Sequence, residues 1–168
     1  MIQFKFNYKT VLLFTLLTVA NLSCNSKNQE KMDKENTSLF PKGEKLPHDW
    51  FTGDAFLSPL VTKDKNNEFS AGAVTFEVGS RTNWHTHPKG QVLIVTEGSG
   101  FYQQKGQPAR TIRKGDVVNI PENVEHWHGA SAKTSMTHIA ITNFKDDVQV
   151  TWLQPVSDIE FNEVNNLK

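Results

Sequence analysis

His85 and His87 stand two residues apart, Gln91 follows after Pro88-Lys89-Gly90, and His126 and His128 repeat the two-residue spacing downstream, with His138 beyond them. Side chains of an extended strand alternate between its faces, so both members of a His-x-His pair point the same way. Imidazole is the commonest side-chain metal ligand and suits zinc, copper, iron and nickel. Two such pairs on adjoining strands would bring imidazoles to one interior point, where Gln91 could add a neutral carbonyl oxygen as a fourth ligand. Histidines with one oxygen leave coordination positions open for water or substrate, as a catalytic metal requires. A single histidine is most often a surface residue or a hydrogen-bonded core residue. Here five of the six fall between positions 85 and 138, four of them paired, and that clustering points to a site. His48 lies apart from it and is assigned no role.

Strands must hold such a site. Short β-like runs separated by turn signals fall near 70–78, 91–97, 100–104, 109–113, 116–120, 135–143 and 148–154, a spacing that argues for an all-β sandwich or barrel. The intervening turns read Glu97-Gly98-Ser99-Gly100, Lys105-Gly106-Gln107-Pro108 and Lys114-Gly115-Asp116. Ser157-x-x-Glu160 has capping-box spacing, which predicts a short C-terminal helix. Between Leu46 and Leu60 the residues are apolar, but Pro47, Gly53 and Pro59 break any helix, so this stretch is expected to be an irregular or edge segment packed on the barrel. By strand position, Gly72, Val74 and Thr142 would line the mouth of the site. The small residue at 72 hints at room for a bulkier ligand.

The N-terminal part is of another kind. Lys5 and Lys9 precede an uncharged, mostly apolar run, Val11 to Ala20, too short to span a bilayer permanently. The only cysteine, Cys24, stands at its end. The arrangement resembles a bacterial lipoprotein signal, in which a small residue precedes a cysteine that is lipidated; Ser23 and Leu22 fit, and Asn21 departs from the usual aliphatic residue. Residues 1–23 are therefore expected to be a signal peptide and Cys24 a lipid anchor, with the product a periplasmic or outer-membrane lipoprotein of the cell envelope. Residues 24–45 are polar and mixed in charge, and read as a flexible tether. The folded domain is then expected over 46–168. The formal net charge of zero gives no footprint for nucleic acid.

The histidines sit in a longer pattern. Gly79, five residues, His85-Thr-His87, three residues, Gln91, six residues and Gly98 resemble the first motif of the cupins, with Gln in place of the usual acid. Gly115, five residues, Pro121-Glu-Asn123, two residues, His126, three residues and Ala130 resemble the second motif. Asn123 replaces a glycine and Ala130 an asparagine; Asn tolerates the left-handed conformation a tight turn needs. The match covers about residues 70–143 and implies a jelly-roll β-barrel.

A narrower resemblance runs from about Asp49 to Phe161. Trp84-His85-Thr86-His87-Pro88, Gly90-Gln91, His126-Trp127-His128-Gly129-Ala130 and Met136-Thr137-His138 look like the single-domain cupins that include manganese-dependent hydroxynitrile lyases. That resemblance implies a divalent metal, manganese first and iron, nickel or zinc after it, held by His85, His87, Gln91 and His126. It also implies that His128 and His138 line the pocket, with His138 as base. Alternation puts His138 on one strand face with Met136 and Ala140, and an imidazole titrating at about 6.5 suits base work near neutral pH. Trp84 and Trp127 alternate with the histidines and are expected to be packing residues.

Three functions follow as expectations. The first is an enzyme that moves a proton while breaking a C–C or C–O bond of a small hydroxy or carbonyl compound. Cyanohydrins are the test substrates, and unsaturated uronate sugars are a related possibility for an exported protein. The second is a dioxygenase acting on a phenol or flavonoid. The third is a module that binds a small molecule or metal without catalysis. Many cupins pair as homodimers, which is expected here.

Overall fold

The computed structural model describes residues 38–166. The signal peptide, Cys24 and most of the expected tether lie outside the described residues. From Leu39 onward the chain forms one compact unit, so its beginning precedes Leu46: β1 (Glu44–Lys45), inside the stretch expected to be tether, pairs with Phe56 and Leu57.

The all-β expectation holds. The strands are β1, β2 (Phe51–Thr52), β3 (Ala55–Val61), β4 (Phe69–Phe76), β5 (Arg81–Thr82), β6 (His85–Thr86), β7 (Gln91–Gln104), β8 (Arg110–Arg113), β9 (Val117–Ile120), β10 (His126–Ala130), β11 (Met136–Asn143) and β12 (Thr151–Trp152), followed by the helix α1 (Asp158–Asn165). They pair antiparallel in the order β1-β3-β4-β11-β7-β10-β5-β2, with β6 on β10, β12 on β6, and β8 and β9 on β7. The result is a curled sheet that closes around an apolar interior. Phe76, Leu93, Val95, Ile112, Val118, Ile120 and Met136 are the largest fully buried apolar side chains of that interior.

One expectation fails for an instructive reason. Residues 97–100 are not a turn: β7 runs unbroken through them. Its first half pairs with β11 and β9, its second with β10 and β8, so one strand serves both faces of the barrel. Gly98 permits the bend. It sits at φ 65°, and a Cβ there would fall 2.0 Å from the Ser135 carbonyl oxygen. The stretch from Leu46 to Leu60 is expected to be an irregular or edge segment, and β3 is the second of these, a regular strand at the margin of the sheet. The short partner β1 reaches only to Phe56 and Leu57, so Pro59 lies beyond it, where a missing N–H breaks no ladder bond. The last expected strand shortens to Thr151–Trp152, preceded by a tight turn bridged between Lys145 and Val148.

The capping box is present. Ser157 Oγ accepts from the Glu160 amide, and Glu160 Oε2 accepts from the Ser157 amide at 2.8 Å. The helix lays Phe161 and Val164 on Trp84, Trp127 and Val156, forming a second apolar cluster. Trp84 and Trp127 thus pack beneath the helix, as expected. Arg81, almost wholly buried, ties the same region together through Val156 O and Asp158. Asn123 takes the left-handed conformation, φ 60°, that its place in the second motif required.

Candidate metal centre

Strand pairing assembles the site. His126 on β10 stands directly opposite His85 on β6, and Gln91 opens β7 opposite Thr142 on β11. His138 lies opposite Val74 and Val95. All five clustered histidines and Gln91 are buried. Ring centroids of His85 and His126 are 4.2 Å apart, those of His85 and His87 5.0 Å, and those of His85 and His128 5.3 Å.

Hydrogen bonds fix which nitrogen faces inward. His85 Nδ1 donates to Asn83 O at 2.9 Å, His126 Nδ1 to Val124 O at 2.8 Å, and His87 Nδ1 to Gln149 O at 2.5 Å. A carbonyl oxygen can only accept, so each Nδ1 carries the hydrogen and each Nε2 keeps its lone pair. The Nε2 atoms of His87 and His126 are buried without a partner. Gln91 behaves alike: Nε2 donates to Thr142 Oγ1 at 2.9 Å, and Oε1 is left buried and unpaired. Buried polar atoms in native proteins are nearly always satisfied. Several inward lone pairs left over together fit a divalent cation, and backbone carbonyls behind the rings are the usual orienting partners of metal-ligating histidine.

The ligating atoms of His85, His126 and His128 lie within 4.8 Å of one another. These three could hold a metal by themselves. The resemblance placed His87 and Gln91 in the set and His128 outside it; the geometry brings His128 among the ligand-capable imidazoles, while His87 and Gln91 contribute unpaired buried atoms to the same region.

His128 has a second partner. Its Nδ1 lies 3.2 Å from His138 Nε2, so one donates and the other accepts. The outer nitrogens, His128 Nε2 and His138 Nδ1, are buried and unpaired. Burial, more than any neighbour, pushes all five imidazoles below their ordinary range. His126 and His138 fall to about 4, while His85 and His128 fall well below their usual value, with neighbouring imidazoles adding to the effect of burial. All are therefore neutral near pH 7. His138 is thus a weaker base than the ordinary value suggests, and it is unprotonated near pH 7.

A cavity of about 160 Å³ opens beside these groups. Gly72, Val74 and Thr142 line it, as expected from strand position. The room expected over Gly72 is not vacant, however: Leu57 Cδ1 would lie 2.5 Å from a Cβ built there. Sequence reasoning missed Phe51, Trp152 and Gln149 in the wall. Trp152 stacks on Trp50 at 5.5 Å and lies 4.9 Å from the His85 ring. The Gln149 carbonyl could not have been found, since every residue has one.

Residues 72–142 match the Cupin domain family. The chain is 44% identical over 117 residues to a protein named (R)-mandelonitrile lyase from Granulicella tundricola, covering 70% of this chain and 89% of the relative. A cupin-like protein from Thermotoga maritima, also 44% identical, superposes with a TM-score of 0.74 over 78% of this chain and 99% of its own. A DMSP lyase from Ruegeria pomeroyi, 17% identical, superposes with a TM-score of 0.54 over 72% of this chain and 62% of its own, a likeness of fold alone.

Proposed function

The chain belongs to the cupin family, and from that membership we propose that it is a metal-dependent lyase acting on a small hydroxy or carbonyl compound, with cyanohydrins as the reference substrates. The observation that carries the reading is the set of buried lone pairs on His87 Nε2, His126 Nε2 and Gln91 Oε1 beside a ligand-sized cavity. In this reading His85, His87, Gln91 and His126 hold the cation, and His128 stands next to it. Manganese is the first choice, from the resemblance to manganese-dependent hydroxynitrile lyases; iron, nickel and zinc suit the same donors. A divalent cation supplies Lewis acidity, which draws electron density from a substrate oxygen and makes its hydroxyl more acidic. A neutral amide donor in place of a carboxylate leaves more of that positive charge uncompensated.

The chain's own residues do the rest. The cavity is close in size to one that encloses a single benzene ring, and Phe51, Phe76 and Trp152 give it aromatic walls. His138 accepts the hydroxyl proton. The carbonyl forms as the C–C bond to cyanide breaks, and the bonding pair leaves with cyanide. The hydrogen bond between His138 and His128 passes a proton between the imidazoles, so the pair returns one to the departing cyanide as hydrogen cyanide. Protons and electrons balance without an oxidant.

The test is direct. Metal-loaded protein is given mandelonitrile, and benzaldehyde and cyanide are measured with and without oxygen. Equal release in both conditions supports the lyase. Consumption of a phenol only when oxygen is present would replace it with the dioxygenase, and silence toward mandelonitrile and unsaturated uronates alike would leave the binding module. The same reading includes export, a lipid anchor at Cys24 in the cell envelope, a homodimer, and no nucleic-acid partner. The apolar run from Val11 to Ala20 before Cys24 supports the anchor, and membrane fractionation of wild type against Cys24→Ala checks it.

A further inference from the structure

Leu57, Ser70, Gly72 and Gln149 line the central cavity, and the same four residues line a second apolar groove of about 270 Å³. That groove continues along Pro59, Val61 and Ala71. The wall they share includes the Leu57 side chain and a 2.9 Å hydrogen bond from Ser70 Oγ to Gln149 Oε1. Leu57 stands opposite Val74 in the β3–β4 register and leans over the neighbouring Gly72, whose missing Cβ gives it room. A leucine tip is a rotatable group that shifts between staggered wells; a partition of paired backbone would not yield.

We infer that Leu57 is a specificity-determining gate, and that the groove behind it is a distal subsite for an apolar substituent on the ligand of the central cavity. This rests on the central cavity being the reaction chamber proposed above. The inner space has the volume of about one ring. A ligand bearing a second ring or an alkyl chain must displace Leu57 and lie along Val61 and Ala71. The extension it takes is uncharged, because the groove wall is largely apolar and Lys63, which also lines it, is already met by Asp146 O and Asp147 Oδ1. The substrate class is thereby narrowed to compounds whose reacting carbon carries either one compact ring or an elongated hydrocarbon group, with Leu57 setting the balance.

Calorimetric titration of the full-length protein with benzyl alcohol and 4-phenylbenzyl alcohol tests this without depending on turnover. In wild type the single-ring probe binds more tightly. Leu57→Ala shifts the ratio of the two dissociation constants toward the two-ring probe by about tenfold or more, the scale on which an apolar pocket discriminates by size. Adding Pro59→Phe, two residues along β3 from Leu57 and on the same face, fills the groove and reverses the shift. Thermal unfolding verifies that each variant is folded, and Leu57→Val serves if the alanine variant is not. An unmoved ratio in a folded Leu57 variant, a gain that survives Pro59→Phe, or no binding of either probe overturns the gate. A chain that leaves mandelonitrile untouched yet shows the ratio shift keeps the gate and loses the lyase; turnover with a fixed ratio does the opposite.

Discussion

At the scale of single residues, the hydrogen bond between Thr142 and Gln91 decides which end of an amide faces the centre. Gln91 Nε2 donates to Thr142 Oγ1, so Oε1 is the end left over. Thr142→Val keeps the shape, removes the acceptor and lets the amide turn. Metal affinity measured by competition with a chelator should fall about 10- to 100-fold, the usual effect of losing an orienting partner, and Thr142→Ser should restore most of it. Two further variants separate holding the metal from using it. His126→Ala should lose the metal altogether, because it removes one ligand and leaves His85 without the imidazole opposite it. His138→Ala should retain metal and lose turnover, because His138 bonds to His128 and is not among His85, His87, Gln91 and His126, the four residues proposed to hold the cation. Elemental analysis beside an activity assay reads both, and full occupancy in His126→Ala would remove it from the ligand set. These residues were legible because a period of two survives any error in strand boundaries: His85 and His87 share a face wherever the strand begins. The His128–His138 bond was not legible, because it joins strands whose register no local spacing reveals.

At the scale of elements, legibility followed local chemistry. Ser157 and Glu160 announce a helix start within four residues, and the helix is there. Ser157→Ala should cost about 1 kcal/mol of stability, typical for loss of an N-cap hydroxyl, read from urea unfolding; α1 lies on Trp84 and Trp127, outside the cavity wall, so metal binding should be little altered. β3 and the middle of β7 were hidden for the opposite reason. Pro59 and Gly98 carry strong local signals for a break, and both are overridden by non-local pairing: Pro59 by its place beyond the end of β1, Gly98 by the close approach of the Ser135 carbonyl. Leu57 was hidden with β3. A residue in a stretch expected only as an irregular or edge segment has no assigned face, and so no cavity to divide.

At the scale of the whole molecule, five neutral imidazoles in one interior set the response to acid. The folded pKa of His126 and of His138 is about 4, against 6.5 for the exposed group. Below about 6.5 the unfolded chain takes up protons that the buried rings refuse, so stability is fully present above that value and is lost as pH falls toward 4. The urea midpoint of metal-free protein should therefore drop steadily over that window, and replacing His138 by Gln should flatten the slope. A cation that binds only the folded chain opposes the drop by mass action. Added manganese should raise the melting temperature at pH 7 and do so less as the solution is acidified, which differential scanning calorimetry can follow.

The unbroken passage of β7 from one face of the barrel to the other has a consequence for motion. Gln91 begins this strand, and its far end, Gln104, lies opposite His126. A single rod thus carries one metal donor and braces another, so neither donor can loosen without disturbing the other's support. Amide exchange should accordingly slow along the entire length of β7 on metal loading, the stretch past Gly98 included, as one breathing unit rather than two.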